Sequence, residues 1–313
     1  MTPNMQVECL GLTFKNPVLC ASGTFGYGRE FADLCDLSRL GGLVTKGISL
    51  EPRAGNPPPR ICETAAGMLN SIGLENVGLA AFVRDKLPFL RECGTRVLVN
   101  FFGETLEEYV RCAEGIGRHA GAGVDALEAN ISCPNVEAGG IEFGVDPDMA
   151  GRLVERVCGV TDLPVVVKLT PNVTDIVPVA RACVQAGAAG LSLINTLKGM
   201  AVDAKARCPR LARVFGGLSG PAIKPVALRL VHQVAQAGLG VPIIGIGGVT
   251  SGEDAAEFLL VGATLVQVGT ANFTRPDAGV KVAEELAAHC RDSCTELGHV
   301  AVSELVGALR RQL

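Results

Sequence analysis

The feature that most constrains this 313-residue sequence is a repeat of pattern. Eight short β-like runs alternate with helix-like stretches about 32 residues apart on average, the size of one βα unit. The runs are Gly42–Lys46, Arg96–Asn100, Asp125–Ile131, Pro164–Thr170, Gly190–Asn195, Val214–Leu218, Pro242–Ile246 and Thr264–Val268. Three are entered alike, through Ala120-Gly-Ala-Gly, Ala186-Gly-Ala-Ala-Gly and Val261-Gly-Ala-Thr. A glycine there can take the left-handed conformation that ends a helix, after which the chain drops into the next strand. Eight such units predict an α/β fold, a (β/α)8 barrel, with an open doubly wound sheet as the alternative. Polar residues gather at or just after the strand ends, which favours the barrel. Residues 1–20 read as a strand pair, Gln6–Leu10 and Leu12–Phe14 bent at Gly11, capping the barrel bottom. No linker or shift of composition divides the chain, so residues 1–313 are expected to form one domain. Two connections, Glu51 to Gly73 and Leu197 to Arg213, are too long for simple turns, and long loops on barrel tops tend to be functional.

Charge and hydropathy exclude several classes. The net charge of −4 and pI near 5.7 argue against a nucleic-acid or anionic-lipid surface. The longest near-apolar run, Val241–Val249, is too short to cross a bilayer, and no secretory leader is visible. Twelve cysteines are scattered without a CxxC pair, so no zinc or iron–sulfur site is expected on this chain. Most read as small hydrophobes in a reducing cytoplasm.

The strand ends carry the chemistry. The seventh run leads into Gly245-Ile-Gly-Gly-Val-Thr-Ser-Gly and the eighth into Gly269-Thr-Ala. Glycines there let backbone N–H groups approach an anion, with a helix N-terminus behind them adding positive potential, and a barrel's usual phosphate site lies after these two strands. Gly121–Ala126 matches GxGxxA but precedes a strand, so it is no dinucleotide fingerprint. Lys168 interrupts an apolar strand and needs an anionic partner or ligand; Glu128 is a candidate partner, and Lys46 is a second strand-end lysine. Cys133 lies between Asn130 and Asn135 at a strand end, before a Gly-rich loop, where a thiol can exchange a proton. Asn70–Leu74 and Asn195–Thr196 supply carboxamides suited to a small ring with amide and carbonyl groups.

These motifs together resemble the dihydroorotate dehydrogenase family over essentially the whole chain. The matching segments are Ala21-Ser-Gly-Thr-Phe-Gly, Thr45-Lys-Gly, Asn70-Ser-Ile-Gly-Leu, Asn130-Ile-Ser-Cys-Pro-Asn, Val167-Lys-Leu-Thr, Asn195-Thr-Leu-Lys-Gly-Met-Ala, Gly217-Leu-Ser-Gly-Pro-Ala-Ile-Lys-Pro, Gly245-Ile-Gly-Gly-Val and Val268-Gly-Thr. Cysteine at the base position resembles class 1, and the 195–201 and 217–225 segments resemble the NAD-linked class 1B. The resemblance implies FMN and oxidation of dihydroorotate to orotate in pyrimidine synthesis. It assigns the flavin to Ser22, Thr45, Lys46, Asn100, Asn130, Lys168 and Ile194, with its ribityl phosphate at Gly220, Gly247, Gly248, Gly269 and Thr270. It assigns the substrate to Lys46, Asn70, Ser71, Ile72, Gly73, Leu74, Asn130, Asn195 and Thr196, and makes Cys133 the general base. It also implies a partner subunit carrying FAD and a [2Fe–2S] cluster that passes electrons to NAD+, around a homodimer core in a heterotetramer. The Arg-rich segment Arg207–Arg213 is the least typical. The competing readings are a fumarate-linked class 1A enzyme, a dihydropyrimidine dehydrogenase-like pyrimidine reductase, a dihydrouridine synthase, which the pI disfavours, and an inactive flavin-binding barrel.

Overall fold

The computed structural model describes residues 3–132, 134–135, 141–297 and 301–310. Eight parallel strands close into a barrel: β3 (Val18–Cys20), β4 (Gly42–Val44), β7 (Arg96–Phe101), β8 (Ala126–Asn130), β11 (Val165–Leu169), β12 (Gly190–Leu193), β17 (Ile243–Ile246) and β18 (Leu265–Val268). The ring closes where β18 pairs with β3, Val266 opposite Val18 and Val268 opposite Cys20. Both faces of these strands are covered, so they read as near-continuous apolar runs, as in Val165-Val-Val-Lys-Leu169, every residue of which, Lys168 included, is buried.

Helices return the chain between strands, and their ends are encoded locally. Thr105 caps the Leu106–Gly117 helix by accepting from Glu108 N, and Asp146 caps Pro147–Cys158 by accepting from Met149 N. At two of the three places where it is expected the glycine device ends the helix directly. Gly187 (φ +102°) and Gly262 (φ +115°) each follow a helix. Their N–H groups bond Val184 O and Leu259 O, and the next N–H groups, of Ala188 and Ala263, bond Cys183 O and Phe258 O, the Schellman pattern.

The barrel is as expected but one member differs. Val214–Leu218 is not a barrel strand; its place in the count of eight belongs to Val18–Cys20, which lies just beyond the N-terminal pair. The reason is burial. Val18, Leu19 and Cys20 are fully buried, whereas Phe215 is 66% exposed, and a closed parallel barrel has no exposed face for such a side chain. The strand pair itself forms: β1 (Val7–Cys9) and β2 (Leu12–Phe14) are antiparallel at the barrel bottom. There Arg96, at the start of β7, donates from Nε to Thr13 O, and Leu10 packs against Gly190 at the start of β12.

The two long connections are not loops over the barrel mouth but one structure. β5 (Ile61–Thr64), β6 (Gly67–Asn70), β13 (Leu197–Gly199) and β16 (Gly216–Ser219) form an antiparallel sheet in the order β13-β16-β6-β5. The hairpin β14 (Val202–Asp203) and β15 (Cys208–Pro209) extends from it, and a last pair joins β9 (Pro134–Asn135) to β10 (Ile141–Glu142). No described helix is long and apolar enough to cross a membrane.

Candidate active site

Inside the barrel, below its C-terminal mouth, lies a layer of polar side chains. Register pairs Asn100 with Glu128 and Glu128 with Val166, so these positions and Lys168, two residues on, face the interior. Glu128 is fully buried. Its Oε1 accepts from Asn100 Nδ2 at 2.8 Å and faces Lys168 Nζ at 3.4 Å; its Oε2 accepts from Gln267 Nε2 at 2.8 Å. The anionic partner expected for Lys168 is therefore Glu128. Lys168 nevertheless keeps its place on the wall of the cavity above, so pairing and ligand-facing roles coexist.

One turn higher, the strand ends are stitched by amides. Asn195 Nδ2 donates to Asn130 Oδ1 and to Ser132 Oγ, both at 3.0 Å, while Asn195 Oδ1 accepts from Thr196 N at 2.8 Å. Tyr109 OH donates to Asn130 O at 2.6 Å and fixes the exit of β8. Asn172 supports this cluster from behind, donating to Thr196 O at 3.0 Å and accepting from Lys198 N at 2.9 Å.

Above these groups, under the antiparallel sheet, is a cavity of about 620 Å³. This is within the range of about 300–1,000 Å³ usual for small-molecule and cofactor sites. One part of its wall is glycine backbone: Gly220, Gly247 and Gly248 have φ of +98°, +130° and +80°, and Gly269 and Thr270 continue it. A Cβ on Gly248 would sit 2.9 Å from Gly220 O, so a side chain is excluded there by contact as well as by φ. Thr270 Oγ1 donates to Ser219 Oγ at 2.9 Å beside this wall. The helix that follows, Gly252–Leu260, adds less positive potential than expected. Its N-terminus is already capped by Ser251 and by the Asp254 carboxylate, which accepts from Thr250 N, Ser251 N and Lys224 Nζ. Burial works against the Asp254 charge, but the bonds from Lys224 and Thr250 outweigh it and hold the carboxyl below its usual range. This wall is thus glycine backbone beside the Ser219 and Thr270 hydroxyls, groups whose neutral donors suit a phosphate.

The dihydroorotate dehydrogenase family model matches residues 4–290. The chain belongs to the dihydroorotate dehydrogenase family. It is 57% identical over 308 residues to the dihydroorotate dehydrogenase B (NAD(+)) catalytic subunit of Geotalea daltonii, covering 98% of this chain and 99% of that one. It is 56% identical over 307 residues to the proteins of the same name from Geotalea uraniireducens and Geobacter sulfurreducens, covering 98% of both chains in each case.

For a dihydroorotate dehydrogenase fold the expected residues converge well. Ser22, Lys46, Asn100, Asn130, Lys168, Ile194, Gly220, Gly247, Gly248, Gly269 and Thr270 all line the cavity, as do Asn70–Leu74, Asn195 and Thr196. Thr45 does not; it is buried, and its Oγ1 accepts from Asn100 N at 3.3 Å. Cys133 lies outside the described residues, whose account runs to Ser132 and resumes at Pro134. Sequence reasoning missed Asn172, Ser219 and Gln267. Asn172 carried a readable signal, an Asn directly after Pro171 at a strand end, and Ser219 sits beside the predicted Gly220. Gln267 carried none, because its partner is 139 residues away. Of the described cysteines, Cys9, Cys112 and Cys183 are pushed up to about 12 by burial and Cys158 to about 11, which fits inert packing.

Proposed function

We propose that this chain is the catalytic subunit of an NAD-linked dihydroorotate dehydrogenase, a single barrel domain that oxidises dihydroorotate to orotate in pyrimidine synthesis. FMN is its cofactor, with the phosphate against Gly220, Gly247, Gly248, Gly269 and Thr270 and the ring system toward Ser22, Lys46, Asn100, Asn130, Lys168 and Ile194. The observation that carries the reading is the convergence on one cavity of two lysines, a carboxamide cluster and a side-chain-free glycine wall. The donor set fits the group: neutral backbone donors suit a phosphate, and Lys168 suits an electron-rich ring edge.

Held by these residues, the flavin would supply the acceptor for a hydride from C6 of dihydroorotate. Cys133 removes the C5 proton, so the substrate loses one hydride and one proton and gains the ring double bond of orotate. Lys168, on the cavity wall, would hold the electron-rich edge of that acceptor and favour negative charge there. Lys46, for which the described residues offer no ion pair, binds the substrate carboxylate. Asn70, Asn130 and Asn195 orient the ring through its amides and carbonyls, and Ser71–Leu74 with Thr196 close the substrate pocket. Thr45 acts on the cofactor through Asn100.

Electrons leave through a partner subunit bearing FAD and a [2Fe–2S] cluster, with two copies of each chain around a catalytic homodimer. The words "catalytic subunit" in the relatives' names support a second subunit. The ten cysteines whose side chains are described are free thiols, which supports a reducing cytoplasmic setting. The test is to purify the chain alone and with its electron-transfer partner. Alone it should hold FMN and reduce a dye acceptor with dihydroorotate; NAD+ should be reduced only with the partner present. NAD+ turnover by the isolated chain, efficient turnover with fumarate, or uracil reduction without orotate formation would each overturn the assignment.

A further inference from the structure

The carboxylate of Glu128 does not line the cavity, yet it touches two residues that do. Asn100 and Lys168 both reach the cavity wall, and both also reach Glu128 Oε1. Its other oxygen is held by Gln267 from β18, which in a ring of eight stands diametrically opposite β8. A fully buried carboxylate is costly unless donors surround it, and three donors do so here. The distances are unequal. The two amides bond at 2.8 Å, while the ammonium stands off at 3.4 Å. The two amides hold the carboxylate in place at hydrogen-bond distance, and Lys168 pairs with it from slightly farther off while still reaching the cavity wall. Gln267 Oε1, buried and without a partner, shows that this amide is spent on Glu128 alone.

We infer that Glu128, braced across the barrel by Gln267, is a positioning residue that aims Lys168 and Asn100 at the cofactor and sets how much of the lysine's charge the cofactor experiences. This rests on the flavin reading above. Two substitutions then act in opposite directions. Glu128→Gln removes the counter-charge but retains shape, and Gln267 can turn its free Oε1 to the new amide. Lys168 then presents its full charge, and the reduced flavin is favoured. Gln267→Met removes the brace, so Glu128 draws on Lys168 instead, and the reduced flavin is disfavoured.

The experiment is a redox titration of FMN in the intact complex, followed by its visible spectrum. The expected result is a ratio of reduced to oxidised flavin at fixed potential about tenfold higher in E128Q, an upward shift of roughly 30 mV for a two-electron couple. In Q267M the ratio falls by at least threefold. Unchanged potentials in both variants, or shifts of the same sign, overturn the inference, because a merely structural role has no reason to split the signs. If E128Q does not fold, the fall in Q267M alone decides. A wild-type chain that holds no flavin would instead sink the functional reading, so the two failures are distinguishable.

Discussion

Replacing Asn172 by alanine tests whether the amide cluster is positioned from behind. Asn172 lies outside the cavity wall and holds Thr196 O, Thr170 Oγ1 and Lys198 N through bonds of 3.0, 3.0 and 2.9 Å. The Lys198 amide is exposed and regains a bond to water, and the Thr170 hydroxyl can rotate. The half-buried Thr196 carbonyl is the group left wanting. One part-buried hydrogen bond and the partial loss of two others come to roughly 1–2 kcal/mol. That energy is felt where Asn195 and Thr196 meet the substrate, so the KM for dihydroorotate should rise roughly 5–30-fold, the factor equivalent to that energy. The value of kcat should stay within about threefold, because neither the base nor the flavin contacts have been touched. The assay is steady-state dye reduction over a range of dihydroorotate, with flavin content measured on the same samples. An unchanged KM, or equal losses in kcat and kcat/KM, would refute the positioning role.

Other outcomes follow from the same geometry. Cys133→Ala should retain FMN but slow its reduction by dihydroorotate roughly 10²–10⁴-fold in stopped-flow measurements, the range for a general base; near-normal reduction would remove Cys133 from that role. Gly248→Ala should weaken FMN binding by at least tenfold in fluorescence titration, since φ is +80° and the new Cβ would press on Gly220 O. Asp254→Asn should cost about 1–3 kcal/mol at neutral pH by weakening the cap and the Lys224 pair. The sign with pH is fixed: the folded carboxyl is held below its unfolded value of 3.8, so its contribution is complete above that value and fades as pH falls through the folded one. The difference in Tm between wild type and variant should therefore shrink in acid, and a pH-independent difference would contradict the pairing.

The lining of the cavity was more legible in the sequence than the barrel's membership. Lys168 stood out because an ammonium in Val-Val-Val-Lys-Leu demands an explanation, and the glycines after β17 and β18 announced a close backbone approach. Asn130 and Asn195 were visible as carboxamides at strand ends, although nothing local said that one would donate to the other. The run Val214–Leu218 misled because it does lead into a strand, Gly216–Ser219, but a half-buried one in the antiparallel sheet over the mouth and not in the barrel. The three-residue strand Val18–Cys20 is so short that it carried no periodicity, only an unbroken apolar run.

Neighbours along the chain fix the helix caps, the glycine turns, the alternation of strand and helix, and the residue types at each strand end. Which strands share a ring, and which side chains meet across it, is settled only when the chain closes on itself. The union of Glu128 with Gln267, and the gathering of Lys46, Lys168, Asn70 and Asn195 around one cavity, exist only once the barrel closes. The physical reason is that a buried charge is stabilised by donors close in space, and closure brings together groups that no local pattern relates.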